Sequence, residues 1–269
     1  MTYFSFLVYF LVIPIILLGI VAIVDRRRGT SLPVTLRAWP PWAAILLHVF
    51  VALLYTTLWD NYLVATRVWW YDPELVTGIT LGWVPIEEYT FFILQPILAG
   101  LWLLFLARRL TRVALPGGLV SWLRVAGTAL LGLFWLSSAI ILAAGWQPGN
   151  YLALELVWAL PPIGLQLAFG ADILWRFRRL VFLVIGSLTF YLSATDAIAI
   201  TLGTWTINSE KSLDLLIAGL LPIEELLFFL LTTTLITFGI VLVMAQESHN
   251  RLGDIRRHLS KAEAGSPNG

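Results

Sequence analysis

Seven long apolar runs alternate with short polar stretches along the chain, at about 3–24, 42–63, 77–106, 122–144, 151–174, 180–202 and 214–245. Each is close to or above the roughly 20 residues that a helix needs to cross about 30 Å of hydrocarbon. The pattern predicts an all-α integral membrane protein with seven transmembrane helices. Composition supports it: 59% of the 269 residues are hydrophobic and 12% charged, whereas a water-soluble domain carries about 25% charged residues. Cysteine is absent, which removes disulfides, iron–sulfur clusters and zinc ribbons, and three histidines leave little from which to build a metal site.

Basic residues set the expected orientation. With Asp25 to Arg28 and Arg37 in the cytoplasm, Arg108, Arg109, Arg112, Arg124, Arg176, Arg178, Arg179, Arg251, Arg256, Arg257 and Lys261 fall on the same side. Only Arg67 and Lys211 of the 17 basic residues are then outside, a strong positive-inside pattern. The chain is therefore expected in the cell membrane as a multi-pass protein, N-terminus outside and C-terminus cytoplasmic. No Lys or Arg precedes the first run and no small-residue cleavage site follows it, so it reads as a retained helix. From about Gln246 the chain is polar and is expected to fray. Trp39, Trp42, Trp59, Trp69, Trp70, Trp146 and Trp205 lie near span ends, where indoles anchor at the interface.

The chain also resembles itself. Asp60, Trp69, Pro85-Ile86-Glu87-Glu88 and Phe91-Phe92 recur as Asp196, Trp205, Pro222-Ile223-Glu224-Glu225 and Phe228-Phe229, the Asp-to-Pro spacing differing by one residue. Pro14 and Asp25 match Pro161 and Asp172 at a common offset. The expected architecture is two parallel three-helix repeats joined by a central linking helix: residues 1–112 for spans 1 to 3, 113–148 for the linking span 4, 149–246 for spans 5 to 7, and 247–269 as a cytoplasmic polar tail. A three-span unit ends on the side opposite its start, so a parallel copy requires one extra crossing. Parallel repeats usually meet at an axis along the membrane normal with shared sites between them, so the two Pro-Ile-Glu-Glu segments are expected to face each other.

Glu87, Glu88, Glu224 and Glu225 lie about ten residues inside the apolar runs, roughly 15 Å deep at 1.5 Å per residue. No basic residue accompanies them there. A charge at the bilayer centre costs about 2.5 to 3.5 kcal/mol on the lenient insertion scale, so these acids should face inward and some should keep their proton. Each stands four residues before a ring of Phe91, Phe92, Phe228 or Phe229, on one helix face. Ring faces attract cations, which suits a reaction that passes through a carbocation. Pro85 and Pro222 are expected to loosen the helix and free a backbone carbonyl for the acids. Asp60 and Asp196 are read either as solvated helix-end carboxylates or as proton relays lining the site. Glu155, Gln166 and Gln95 are lesser candidates, and His48 reads as an interhelical hydrogen-bonder.

Missing residues exclude several classes. No span contains a Lys for a retinal Schiff base, no Asp-Asp-x-x-Asp cluster holds magnesium and a diphosphate, and the Glu pairs lack partner histidines for an intramembrane metalloprotease. No Gly-x-Gly-x-x-Gly follows a strand, which argues against flavin or nicotinamide. Cofactor-free acid chemistry on a lipophilic substrate remains, or a passive proton or ion path.

The doubled Pro-Ile-Glu-Glu followed by two Phe, on a seven-span duplicated frame, resembles the membrane-integral carotenoid (lycopene) cyclase family, which is distinct from the flavin-dependent lycopene cyclases. That family occurs as two small subunits or as one fused chain, and the resemblance, covering roughly residues 3–245, implies the fused form. It implies an isomerase-type enzyme of carotenoid biosynthesis without a cofactor, taking lycopene from the bilayer and forming β-type rings, and no nucleic-acid partner. The family's acids would be carried by Glu87, Glu88, Glu224 and Glu225. Glu88 and Glu225 are expected to act as acid and base, in an order left open, with Glu87 and Glu224 tuning them. Phe91, Phe92, Phe228 and Phe229 would line the cavity, with Asp60, Asp196, Pro85 and Pro222 on the substrate side. A carotenoid hydratase, a C50 carotenoid cyclase, or a non-catalytic proton or lipid carrier would use the same acids. Oligomeric state is left open.

Overall fold

The computed structural model describes residues 1–110, 114 and 120–264. Arg112 and the 112/113 domain boundary lie outside the described residues. Among the described residues seven helical segments are long and apolar enough to cross a membrane: α1 (Tyr3–Arg27), α2 (Pro41–Ala65), α3 (Ile86–Arg109), α4 (Trp122–Ala143), α5 (Asn150–Arg176), α6 (Arg178–Thr201) and α7 (Ile223–Met244). This is a multi-pass membrane protein.

The core is built around α3 and α7. In the first half α3 packs on α1 and α2; in the second α7 packs on α5 and α6. Across the halves α3 meets α6 and α7, and α7 meets α2. α4 packs chiefly on α5 and leaves most of its apolar surface facing outward, as lipid allows. Ion pairs to buried carboxylates close the end of the bundle opposite the glutamates. Arg109 holds Asp25 at 3.0 Å, and Arg251 holds Asp172 at 2.6 Å. Arg251 belongs to α8 (Gln246–Ala264). The segment expected to fray therefore begins as a helix, docked because Arg251 also donates to the Phe169 carbonyl.

Apolar patterning misplaces the starts of spans 3 and 7. The runs beginning at 77 and 214 open not as helix but as hairpins: β2 (Thr80–Leu81) pairs with β3 (Val84–Pro85), and β5 (Leu216–Ile217) with β6 (Leu221–Pro222). Ile79, Leu81, Trp83, Leu215, Leu216 and Leu220 are exposed apolar residues of these segments, which is why the runs look continuous with the spans. The first hairpin turns on Gly82-Trp83, with Gly82 at φ 70°, as a two-residue turn with Gly leading requires. The second holds one more turn residue, Ala218 to Leu220. This accounts for the one-residue difference in spacing between the halves. A third pairing crosses the halves: β1 (Trp69–Tyr71) runs antiparallel to β4 (Trp205–Ile207), with Trp69 opposite Ile207 and Tyr71 opposite Trp205.

Two expectations are corrected here. Glu87, Glu88, Glu224 and Glu225 lie in the first turns of α3 and α7, at one end of the bundle and not at its middle. Pro85 and Pro222 immediately precede the helices, where a missing N–H is lost from donors that have no helical partner anyway. They free no helical carbonyl. The freed carbonyls arise instead from prolines inside α1 and α5. Pro14 leaves the Phe10 carbonyl to the Tyr191 hydroxyl at 2.9 Å, and Pro162 leaves the Trp158 carbonyl to the Tyr55 hydroxyl at 2.7 Å. Pro161 likewise leaves the Val157 carbonyl to the Trp135 indole at 3.3 Å.

The two hairpins are expected to respond differently to the same change. A methyl at Gly82 would meet Asn61 Oδ1 at 2.2 Å, whereas one at Gly219 meets nothing within 4 Å. Asn61 cannot easily move, because it accepts from the Trp83 amide and donates to the Thr57 carbonyl and the Tyr89 hydroxyl. Gly82→Ala should therefore cost more than the roughly 1–3 kcal/mol of left-handed backbone strain that Gly219→Ala also incurs. Thermal unfolding of both variants in detergent measures the difference.

Candidate active site

The end of the bundle that carries the hairpins encloses a cavity of about 50 Å³. Its wall combines Glu88 of α3, Glu225 of α7 and Asp196 of α6 with Phe91, Phe228 and Phe229. Contributions from both halves thus meet in one space, and the rings of Phe91 and Phe229 touch edge to face at 6.3 Å. Phe92 is set apart. It lies on a second, larger groove of about 620 Å³, whose wall also includes Phe228.

The paired glutamates divide by role because neighbouring positions on a helix point in different directions. Glu87 Oε1 accepts from the Thr77 amide at 2.6 Å, and Glu224 Oε1 accepts from the Leu213 amide at 2.7 Å. Each ties down the segment leading into its hairpin, in the manner of carboxylates near a helix N-terminus. Glu88 and Glu225 face the cavity and take phenol donors. Glu88 Oε2 accepts from Tyr3 at 2.5 Å and Tyr71 at 3.0 Å. Glu225 Oε1 accepts from Tyr151 at 2.7 Å, and Asp196 lines the same cavity.

Asp60 and Asp196 are 1% and 2% exposed, so the solvated-carboxylate alternative does not hold for either. Asp196 lines the cavity and accepts from the Trp205 indole at 3.0 Å. Asp60 lies beside Glu88, and among the described residues neither of its oxygens has a hydrogen-bond partner. Glu155 is fully buried near Tyr151 and Glu225, and its carboxyl oxygens are likewise unpartnered among the described residues. Pro85 and Pro222 line neither space. Gln95, Gln166 and His48 all belong to the larger groove.

Sequence reasoning missed Tyr3, Tyr71 and Tyr151, and assigned Trp69 and Trp205 to the interface belt although both line the acid cavity. The available signal was weak. Tyr3 and Tyr151 each stand near the start of the first helix of a half, but an aromatic at a span end is ordinary. Among the described residues no group of three or more His, Asp or Glu has the arrangement of a metal site.

Comparison with known proteins places this geometry. Lycopene beta-cyclase of Halobacterium salinarum is 34% identical over 245 residues, covering 90% of this chain and 95% of the relative. The chain belongs to the lycopene cyclase family. Two fungal members named bifunctional lycopene cyclase/phytoene synthase match as well. The one from Gibberella fujikuroi is 32% identical over 72% of this chain and 33% of its own length. The one from Aspergillus oryzae is 33% identical over 78% of this chain and 36% of its own. This cyclase thus aligns with only about a third of each bifunctional protein. No family model matches the chain, and no solved structure does.

Tyr71 lies in β1, outside the helices. Burial first, and then the adjacent carboxyl groups of Asp60 and Glu88, push its phenol well above its ordinary value of 10.0. The phenol is therefore a hydrogen donor across the physiological range. Because the folded value is the raised one, the stability this contributes is present below about pH 10 and is lost as pH rises through the folded value. Relative to Tyr71→Phe, the wild type should lose stability as pH rises above about 10, as followed by thermal unfolding across pH.

Proposed function

We infer that this member of the family is a lycopene cyclase that closes β-type rings on the ψ end groups of lycopene by proton-initiated, redox-neutral cyclisation. One observation carries the reading: Glu88 and Glu225, from different halves of the chain, share one aromatic-walled space, the first held by two phenols and the second by one. Glu88 Oε2 accepts from two phenols, an arrangement suited to a carboxylate that removes a proton. Glu225 accepts from one phenol and shares the cavity with Asp196, an arrangement suited to a carboxyl group that keeps its proton. Glu225 is accordingly assigned as the acid and Glu88 as the base, with Glu87 and Glu224 as positioning residues.

The acid adds its proton to the terminal double bond of the ψ end group, leaving a tertiary cation. The next double bond attacks that cation, and the new carbon–carbon bond closes a six-membered ring. The base then removes a proton from the ring, and the position it reaches fixes which ring forms. Atoms and electrons balance without an oxidant. The faces of Phe91, Phe228 and Phe229 stabilise the cation, and their packing keeps out the water that would hydrate it. The two halves, each with a Pro-Ile-Glu-Glu segment, act as the fused counterpart of a two-subunit enzyme. Arginines gathered at the far end support an orientation in the cell membrane with the N-terminus outside and the C-terminus in the cytoplasm.

Expression in a bacterial host that accumulates lycopene should convert the red pigment to cyclic carotenes of unchanged mass. A product heavier by one water would identify a hydratase instead, and unaltered pigment would reject the enzyme. In the same host Glu88→Gln and Glu225→Gln should each lower product about 10²- to 10⁴-fold, the usual contribution of a positioned acid or base. Glu87→Gln and Glu224→Gln keep the oxygen that accepts the loop amide, and should lower it less than about 10-fold.

A further inference from the structure

The acid cavity holds about 50 Å³, far too little for a long linear carotenoid. The second groove, of about 620 Å³, lies in the range of ligand pockets. On α7 it runs from Phe228 to Val243, about 22 Å at 1.5 Å per residue, and so traverses most of the bilayer. α2 and α5 form its other long walls, Phe92 and Gln95 of α3 line it between them, and α8 closes the far end with Ser248, His249 and Leu252. Its lining contains no Asp, Glu, Lys or Arg among the described residues. Leu47, Val51 and Leu165 at its rim are exposed, so it opens sideways into lipid.

The two spaces are continuous in one respect: Phe228 belongs to both. It stacks on Trp59 at 5.9 Å, and Trp59 stacks on Trp158 at 4.3 Å. Tyr55 stacks on Trp158 at 5.6 Å and bonds the carbonyl that Pro162 leaves free. α2 and α5 are thus clasped next to the acids and spread apart beyond them. A flat conjugated chain suits such a wall, because stacked rings offer planar apolar surface.

Resting on the cyclase reading, we propose that the groove between α2, α5 and α7 is the binding site for the unreacted length of the polyene. The chain enters sideways from lipid, its reacting end passes Phe228 into the acid cavity, and its far end stops at α8. Ser248, His249 and Leu252 then set which chain lengths and far-end groups are accepted.

The absence of native cysteine allows a unique label. Leu252→Cys carries a fluorophore at the groove's far end, and Phe182→Cys carries the same one on the lipid-exposed side of α6. In phosphatidylcholine vesicles, added lycopene should quench the Leu252 label saturably and the Phe182 label only weakly and linearly. Filling the groove with Leu235→Trp, or with Leu165→Trp at its rim, should weaken the saturable phase at least 10-fold while leaving the thermal unfolding midpoint of the labelled protein unchanged. Equal linear quenching at both labels, or saturation unaffected by both fillers, would overturn the proposal, with lipid chains as the groove's occupant. The readout needs no turnover, so a protein that binds in this way without cyclising lycopene would reject the catalytic reading and leave the groove standing.

Discussion

A carboxyl group that leaves water must keep its proton or find enough donors to hold its charge, and one end of this bundle is organised around that constraint. Glu87 and Glu224 meet it with backbone amides, Glu88 with two phenols, and Glu225 with one phenol. The β1–β4 ribbon and the two hairpins serve these bonds. They bring Tyr71 and Trp205 over the cavity and hold Thr77 and Leu213 against the outer pair of glutamates.

The same accounting of donors and acceptors fixes the helix contacts. Prolines inside α1 and α5 release carbonyls that only a neighbouring helix can satisfy. Tyr191 and Tyr55 do so from α6 and α2, each reaching from one half into the other. In a bilayer, where apolar packing alone scarcely favours helix over lipid, such bonds fix which helices are neighbours. The two tyrosines therefore tie the halves together below the ribbon.

Much of this was legible in the sequence. Seven apolar runs became seven helices, and Glu88, Glu225, Asp196 and three of the four phenylalanines meet in one space. The depth of the acids was not legible, because an apolar hairpin exposed at a membrane surface and the first turns of a span have the same hydrophobicity. Length cannot separate the two when they are contiguous. Nor were Tyr3, Tyr71 and Tyr151 legible: each is an unremarkable aromatic, at a span start or in a connecting loop, until the fold places a carboxyl beneath it. Phe92 illustrates a finer limit. Helical spacing groups it with Phe91, but adjacent positions diverge by about 100°, enough to send one ring to the cavity and the other to the groove.

The position of the glutamates at the helix starts has a bearing on the energetics of the cell. Acids strung across a membrane invite hydrogen ions to hop from face to face, dissipating any gradient the membrane maintains. Here α3 carries no further carboxyl between Glu88 and Arg108, nor α7 beyond Glu225, a stretch of about 30 Å in α3 at 1.5 Å per residue. That stretch insulates the acidic end electrically, so the acids gathered there do not make α3 or α7 a path for a leak.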